Sequence, residues 1–317
     1  MNTASSARSD DPLPRLIVVL GPTASGKSAL AIKLAKLVDG EILVCDSTQV
    51  YRRFDIGTGK VPRAEQQGIP HHLMDMVEPD AVFTAGEYRR RAVAALGDLR
   101  ARGKTPVITA GTGLYLRALL EGLAESPERS EDLRERMRAI VAKHGAKRLH
   151  EILKRFDPES ARRIEPADTQ KIIRAIELRL LAGKPVGEIH AAGRAPLKGY
   201  AIVKIGLAPP RPTLYARIHE RIDEMIAAGW IDEVRHLISS GVPESAKAFQ
   251  FIGYSQWRDY LNGKLRKEEA LENIRKSTRH FAKRQQTWFR REANVHWIEG
   301  LGGDEPVEID ARKFISI

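Results

Sequence analysis

Gly21-Pro-Thr-Ala-Ser-Gly-Lys-Ser28 lies between an apolar run, Leu16-Ile-Val-Val-Leu20, and a segment from Ala29 to Leu37 whose apolar residues recur at helical spacing. The run predicts a fully buried strand and the segment predicts a helix. Strand, glycine-bearing loop and helix in that order form the phosphate-binding P-loop pattern. Glycines let the backbone curl around an anion, with successive N–H groups pointing inward at phosphate oxygens. The following helix adds the positive end of its dipole. Lys27 supplies a mobile point charge, and the Ser28 hydroxyl suits a magnesium ion (Mg2+) held on the phosphates. An unliganded glycine turn is the plain alternative, and the order of the three elements argues against it. Gly21, Pro22, Thr23, Ala24, Ser25, Gly26, Lys27 and Ser28 are therefore expected to surround a phosphate or diphosphate group.

Further along, Glu41-Ile-Leu-Val-Cys45 predicts a second strand that ends in Asp46-Ser-Thr-Gln-Val-Tyr51. Ligands of open α/β sheets lie beyond the carboxyl ends of the strands, so Asp46 falls where chemistry on a P-loop-bound group takes place. His71 to Met76 reads as a strand and Phe83 to Arg102 as a helix. Pro106-Val-Ile-Thr109 is a buried strand that delivers Ala110-Gly-Thr-Gly-Leu-Tyr115 to the same edge. This alternation predicts an α/β fold, a P-loop NTPase-like parallel sheet flanked by helices. Over 123–199 no β-run occurs, and charged helical patterns dominate between breaks at Pro127, Pro158, Pro166 and Pro185. That stretch reads as an inserted all-helical domain. Tyr200 to Leu207 resumes a strand. The core is accordingly expected to comprise 15–122 and 200–317, behind a disordered lead-in over 1–14. Helical spacing runs from Thr213 to Ser239 and from Lys267 to Arg291, Asn294 to Ile298 reads as a last strand, and the tail reads as irregular.

Hydrophobic content of 42% with 29% charged residues is that of a soluble globular protein. No apolar run approaches the roughly 18 residues that span a bilayer. The one cysteine, Cys45, excludes an internal disulfide and fits a reducing cytoplasm. Its place at the end of an apolar run makes it a buried strand residue. His71 and His72 are adjacent, so on a strand they point to opposite faces and read as structural, not as a metal pair. The net charge of +11 is larger than a phosphate-binding enzyme of small metabolites needs, and it points to a polyanionic partner. Arg275 to Arg291 holds seven Lys and Arg and no acidic residue. On a helical wheel Ile274, Phe281, Trp288 and Phe289 gather on one side, with Arg275, Arg279, Lys283 and Arg290 on the other. Without acidic residues in the stretch to pair with them, these cations favour a phosphate-contact surface over a solvated face.

An ordered set of motifs now resembles one family. Besides the P-loop they are Asp46-Ser-Thr-Gln-Val-Tyr51, Ile56-Gly-Thr-Gly-Lys60, Pro70-His-His-Leu73 and Gly111-Thr-Gly-Leu-Tyr-Leu116. Asp168 to Leu178, Arg217 to Glu233, Ile252-Gly-Tyr254 and Thr278 to Arg290, with Lys283-Arg-Gln285, complete it. From Leu16 to Arg291 the chain resembles the tRNA dimethylallyltransferases (tRNA isopentenyltransferases). Lys171 stands where Arg is expected beside Gln170, Gln250 where some relatives carry Arg, and Gly59 in place of Ala. Lysine at 171 offers a point charge where arginine offers a planar fork.

The resemblance implies transfer of a dimethylallyl group from dimethylallyl diphosphate to the exocyclic amine of the adenosine just 3′ of the anticodon, with release of diphosphate. Asp46 would accept a proton of that amine, which is a poor nucleophile on its own. Capping the next turn is the alternative role for Asp46. Lys27, the P-loop amides, Mg2+ on Ser28, Arg217 and Arg221 would stabilise the leaving diphosphate. A solvated helix face with Glu220 and Glu224 as partners stays open for the arginines. Thr112 would lie between donor and adenine, or be a plain turn threonine. The tRNA is expected to meet Asp46, Ser47, Thr48, Gln49 and Thr112 at the target base. Gln170, Lys171, Ile172, Ile173 and Arg174, with Gln250, Phe251, Ile252, Gly253, Tyr254 and Ser255, would meet the anticodon arm, and Arg279 and Lys283 the phosphates. Trp257, Tyr254 and Phe251 offer stacking faces. The chain is expected to act as a cytoplasmic monomer with no membrane contact. Three other functions stay open: a small-molecule P-loop kinase, a prenyltransferase of free adenine nucleotides, and a non-catalytic RNA-binding ATPase. The two small-molecule enzymes leave the basic surplus unexplained.

Overall fold

The computed structural model describes residues 12–124, 126–191 and 194–315. The expected lead-in over 1–14 lies outside them up to residue 11. β1 (Arg15–Leu20) runs into the P-loop and α1 (Lys27–Leu37), then β2 (Gly40–Cys45) and a two-residue β3 (His71–His72). α2 (Ala85–Ala101), β4 (Thr105–Ala110) and α3 (Gly113–Leu120) follow. Next come α4 (Glu131–Phe156), α5 (Pro158–Arg163), α6 (Thr169–Ala182) and α7 (Val186–Ala191). β5 (Ala201–Leu207) leads to α8 (Arg211–Ala227), α9 (Trp230–Ser239), α10 (Tyr254–Leu261) and α11 (Lys267–Phe289). β6 (Val295–Ile298) and α12 (Glu305–Ile315) end the described chain.

Two compact units emerge, one of Met1–Leu119 with Lys198–Ile317 and one of Leu120–Leu197. In the first, six strands form a parallel sheet in the order β3-β2-β4-β1-β5-β6. Its register pairs Val107 with both Ile17 and Ile42, and Val19 with Ile205. Strands buried on both faces need unbroken apolar runs, and β1 supplies one from Leu16 to Leu20 and β2 one from Ile42 to Cys45. Ile17, Val19, Ile42 and Ile205 pack under Leu30 and Leu34 of α1, with Val307 and Ala311 of α12 in the same cluster. The tail is thus a helix and not irregular. Two further expectations are corrected. The strand over His71–Met76 stops at His72, because Leu73 and Asp75 take left-handed backbone. The helix over Thr213–Ser239 is two helices, divided at Gly229.

His71 bonds the Ile69 carbonyl through Nδ1 (2.8 Å), and His72 Nε2 lies 2.6 Å from Glu41 Oε2. Arg102 grips the same carboxylate in bidentate fashion (2.5 and 2.9 Å), and with His72 it holds Glu41 down at about 2. Burial pushes the Cys45 thiol up to about 12, so it stays protonated.

The second unit is built around Met137, Leu149, Leu153, Ile172, Ile173 and Ile176. Asp157 caps α5 by accepting from Ser160 N (3.0 Å), and Asp168 caps α6 by accepting from Lys171 N (3.2 Å). Glu177 is fully buried. Burial opposes its charge, but Arg134 (2.8 Å through both nitrogens), Arg174 (2.6 Å) and Ser130 N (2.9 Å) outweigh that and hold it at about 2. Among the described residues no helix is long and apolar enough to cross a membrane.

Candidate active site

β1, β2 and β4 all deliver their carboxyl ends to one edge of the sheet, and the site grows from the three loops that leave there. The P-loop enters α1 through Gly26, which is left-handed (φ 82°) and lies where a Cβ would come within 2.7 Å of Gly302 N. No side chain among the described residues caps α1, and its first turn holds no acidic residue. Its amides are therefore left to a ligand. The second loop begins at Asp46. Its Oδ1 accepts from the Thr48 amide (2.9 Å) and hydroxyl (2.7 Å), so the turn-capping role foreseen for this residue exists. Its Oδ2 lies against Gly111, so closely that a Cβ at 111 would overlap it. The third loop is tied to the second at Cys45 O, which accepts from Gly111 N and Thr112 N (both 3.0 Å).

These loops border a cavity of about 330 Å³. Thr23, Ala24, Lys27 and Ser28 line it from the P-loop, and Asp46, Thr48 and Gln49 from the loop after β2. Arg221 and an apolar strip of Ile218, Ile222 and Met225 face it from α8, with Trp230, Gln250, Phe251 and Ile252 nearby. Thr278, Phe281, Arg284 and Gln285 contribute from α11. Its charge is unbalanced. Lys27, Arg221 and Arg284 are the lining cations, and Asp46 is the lining carboxylate. Lys27 is enclosed by protein except where it meets the cavity, and its ammonium donates to Pro22 O (2.7 Å). Burial lowers it to about 7, with the Asp46 charge resisting and the Arg221 charge adding to the fall. Arg221 is pulled down as well, by burial first and then by Arg217. Its guanidinium donates to Gly59 O (3.4 Å), in space that a side chain at 59 would fill. Two enclosed cations that oppose one another make a site short of an anion.

Several residues expected at the site have partners within the protein. Arg217 does not line the cavity: its guanidinium is held by Glu224 (2.7 and 3.1 Å) and Glu220 (3.4 Å), the pairing left open by the sequence. Thr112 accepts from Ser47 N (2.9 Å) and donates to Ser47 Oγ (3.2 Å), so it clamps the turn after Asp46. Gln49 donates to Thr58 O (3.1 Å) and Gly59 O (3.2 Å) and fixes the loop opposite. Tyr254 is buried, donates to Glu233 Oε1 (2.6 Å) and accepts from Gly57 N (3.0 Å). Trp257 is buried edge-on to Trp230 (6.2 Å), so neither Tyr254 nor Trp257 presents a stacking face. Phe251 both lines the cavity and meets Tyr51 edge-on (5.4 Å). Gly253 and Ser255 do not line it. In the second unit Ile172 and Ile173 are core residues and Arg174 is bound to Glu177, Ser126 and Pro127, which leaves Gln170 and Lys171 exposed from that set. Lys171 pairs with Asp168 (2.5 Å).

The basic helix also differs from its wheel. Its buried stripe is Ala270, Ile274, Ala282, Gln285 and Phe289, and Phe281 turns to the cavity instead. Arg275 pairs with Asp223 of α8 (2.8 and 3.1 Å), and Arg279 meets His219 Nε2 (2.8 Å) and Glu272 (3.5 Å). Acidic partners missing from Arg275–Arg291 thus come from outside it. Lys283 and Arg284 remain exposed. Sequence reasoning gave no site role to Ile218, Ile222, Met225, Trp230, Phe281, Arg284 or Gln285. Helical spacing in α8 and a glutamine on the inward stripe of α11 were the signals available for the first three and the last.

A phosphate cradle, a carboxylate and an apolar strip around one cavity are what a diphosphate-leaving transfer to a nucleophile requires. The sequence profile of the family "IPP transferase" matches residues 49–292. The chain belongs to the IPP transferase family. Its relatives include a tRNA dimethylallyltransferase of Koribacter versatilis (strain Ellin345), 47% identical over 95% of this chain and 98% of the relative. Another, from Geobacter metallireducens, is 44% identical over 91% and 93%. Among solved structures, the tRNA isopentenylpyrophosphate transferase of Bacillus halodurans is similar with a TM-score of 0.70 and 36% identity, covering 95% of both chains. A eukaryotic dimethylallyltransferase acting on tRNA reaches a TM-score of 0.79 at 25% identity, over 96% of this chain and 80% of that one. Membership in the family makes this chain an enzyme of tRNA modification, a transferase with a P-loop NTPase-like core.

Proposed function

We propose that this chain transfers the dimethylallyl group of dimethylallyl diphosphate to the exocyclic amine of the adenosine 3′ of the anticodon. One observation carries this assignment: two enclosed cations, Lys27 and Arg221, and one carboxylate, Asp46, face the same cavity, whose remaining wall includes Ile218, Ile222 and Met225. The diphosphate takes the P-loop end, where Lys27, the α1 amides and Arg221 meet it. The five-carbon group lies along the apolar α8 strip. Ser28 lines the cavity with Lys27, and its hydroxyl is a ligand suited to a magnesium ion that takes most of its ligands from phosphate and water. Bound there, the ion would add positive charge for the leaving diphosphate.

In the reaction the amine nitrogen forms a bond to the donor's first carbon as the carbon–oxygen bond breaks, and the diphosphate leaves with the electron pair. The amine loses a proton to Asp46 Oδ2, the oxygen that Thr48 does not occupy. Arg221 and Lys27 meet the charge that grows on the diphosphate, and because both are already in place no reorganisation is required. Reaching the base requires it to be turned out of the anticodon loop. Gln170 and Lys171 of the helical unit, with Lys283 and Arg284 of α11, serve as tRNA contacts.

Labelled dimethylallyl diphosphate incubated with bulk tRNA and magnesium should yield acid-precipitable label. Label on a free adenine nucleotide, or γ-phosphoryl transfer from ATP, would replace the assignment. The basic helix gives a second expected result. Lys283→Ala should lower the salt slope of tRNA binding by roughly 0.7–0.9, the share of one phosphate contact. Arg279→Ala should leave that slope unchanged and cost about 1 kcal/mol of stability or less, as an interhelical surface pair does. Filter binding across a salt series reads the first and thermal unfolding the second; a slope change on Arg279→Ala alone would reverse the two roles.

A further inference from the structure

On the proposed reaction, donor and base are held by different loops, and something must fix the distance between them. We infer that Gln285 is that positioning residue. Gln285 lies on the inward stripe of α11 and is nearly fully buried, at a position where its neighbours are Ala282 and Phe289. Both ends of its amide are used. Oε1 accepts from Thr23 N in the P-loop (2.7 Å), and Nε2 donates to Gly111 O in the loop after β4 (2.7 Å). A buried amide is costly unless it is fully matched, and this one is matched only while both loops keep their places.

The consequence reaches the chemistry through contacts on either side. Thr23 lines the donor end of the cavity. Gly111 packs against Asp46 Oδ2, with no room for a side chain between them, and it shares the Cys45 carbonyl with Thr112. A shift of Gly111 is therefore felt at the proton acceptor, and a shift of Thr23 at the diphosphate. The Gln285 side chain hydrogen-bonds the backbone of both loops. Gln285 thus sets the separation of leaving group and base through the two loops it joins.

The test uses two near-isosteric variants and the unaltered protein. Gln285→Glu keeps an acceptor for Thr23 N but turns an oxygen toward Gly111 O, and Gln285→Met keeps the bulk and loses both bonds. Single-turnover prenyl transfer at saturating donor and tRNA should fall roughly 10–100-fold in each, the scale on which ångström misplacement acts. Equilibrium affinities for donor and for tRNA should each stay within about threefold, because each loop keeps its own ligand contacts. A rate within twofold of the unaltered enzyme, or donor affinity lost in step with rate, would overturn the assignment. Amide hydrogen exchange on the unaltered, ligand-free protein decides independently of folding in the variants. The Thr23 amide should be protected although it sits in a loop, and exchange at the rate of an open loop would overturn the bridge. That arm requires no turnover. Lack of prenyl transfer by the unaltered enzyme would remove the proposed function, while exchange at Thr23 still decides the bridge.

Discussion

Asp46→Ala is expected to slow single-turnover prenyl transfer by roughly 10²–10⁴-fold, the range of a lost general base, with tRNA affinity nearly unchanged. The geometry separates two jobs of this carboxylate. Oδ1 is engaged by the Thr48 amide and hydroxyl, whereas Oδ2 faces Gly111 at the cavity. Asp46→Asn divides them further: its Oδ1 still caps Thr48, but the amide nitrogen in the place of Oδ2 cannot take a proton. Asparagine should therefore be nearly as slow as alanine while keeping the fold of the turn. Rapid-quench assays with saturating donor and tRNA read the rate, and filter binding reads the affinity. A near-normal rate for Asp46→Asn would leave Asp46 as a turn cap alone.

The second large effect belongs to Lys27. Its charge meets the donor in ground and transition states alike, so Lys27→Ala should weaken donor binding as well as slow the reaction. A lost charge-assisted hydrogen bond corresponds to roughly tenfold to hundredfold in affinity. Burial holds the free ammonium down at about 7, so the lysine is charged below that pH and loses its proton above it. A bound diphosphate favours the charged form and raises the pKa in the complex. Donor affinity should therefore carry no Lys27 contribution to its slope below about 7. Above it, binding takes up a proton, and affinity falls by up to about tenfold per pH unit until the pKa of the complex is reached. Lys27→Ala should abolish that decline. Calorimetric titration of donor binding across pH, in buffers of different ionisation enthalpy, measures both affinity and proton uptake. A slope of the same size in the alanine variant would place the titrating group elsewhere.

The frame of this site was legible because it is local. Leu16–Leu20, the glycine loop and the helix behind it are contiguous, and Asp46 follows directly from an apolar run, so strand-end position located it. Partners distant in sequence were not legible. Arg275 finds Asp223 and Tyr254 finds Glu233 only once α8 to α11 pack together, so exposed cations and aromatic faces were read where paired and buried ones exist. Backbone special cases hid others: left-handed Leu73 and Asp75 cut short the His71–Met76 strand. The final helix did carry its signal, with Val307, Ala311 and Ile315 four apart and buried. Gly302, Gly303 and Pro306 masked it, although proline is tolerated in the first turn of a helix. Gln285 shows the same limit from the other side. A glutamine on an apolar stripe is visible in the sequence, but which two loops it joins is not.

The central claim is that one cavity joins a diphosphate cradle to a base acting on a tRNA adenosine. Its most direct measurement is mass spectrometry of nucleosides from tRNA after a single turnover with dimethylallyl diphosphate, with released diphosphate counted in parallel. The expected result is one prenylated adenosine per tRNA, mapped by nuclease digestion to the position 3′ of the anticodon, and an equal amount of diphosphate. Diphosphate release without modified adenosine, or prenylation confined to free adenine nucleotides, would contradict it.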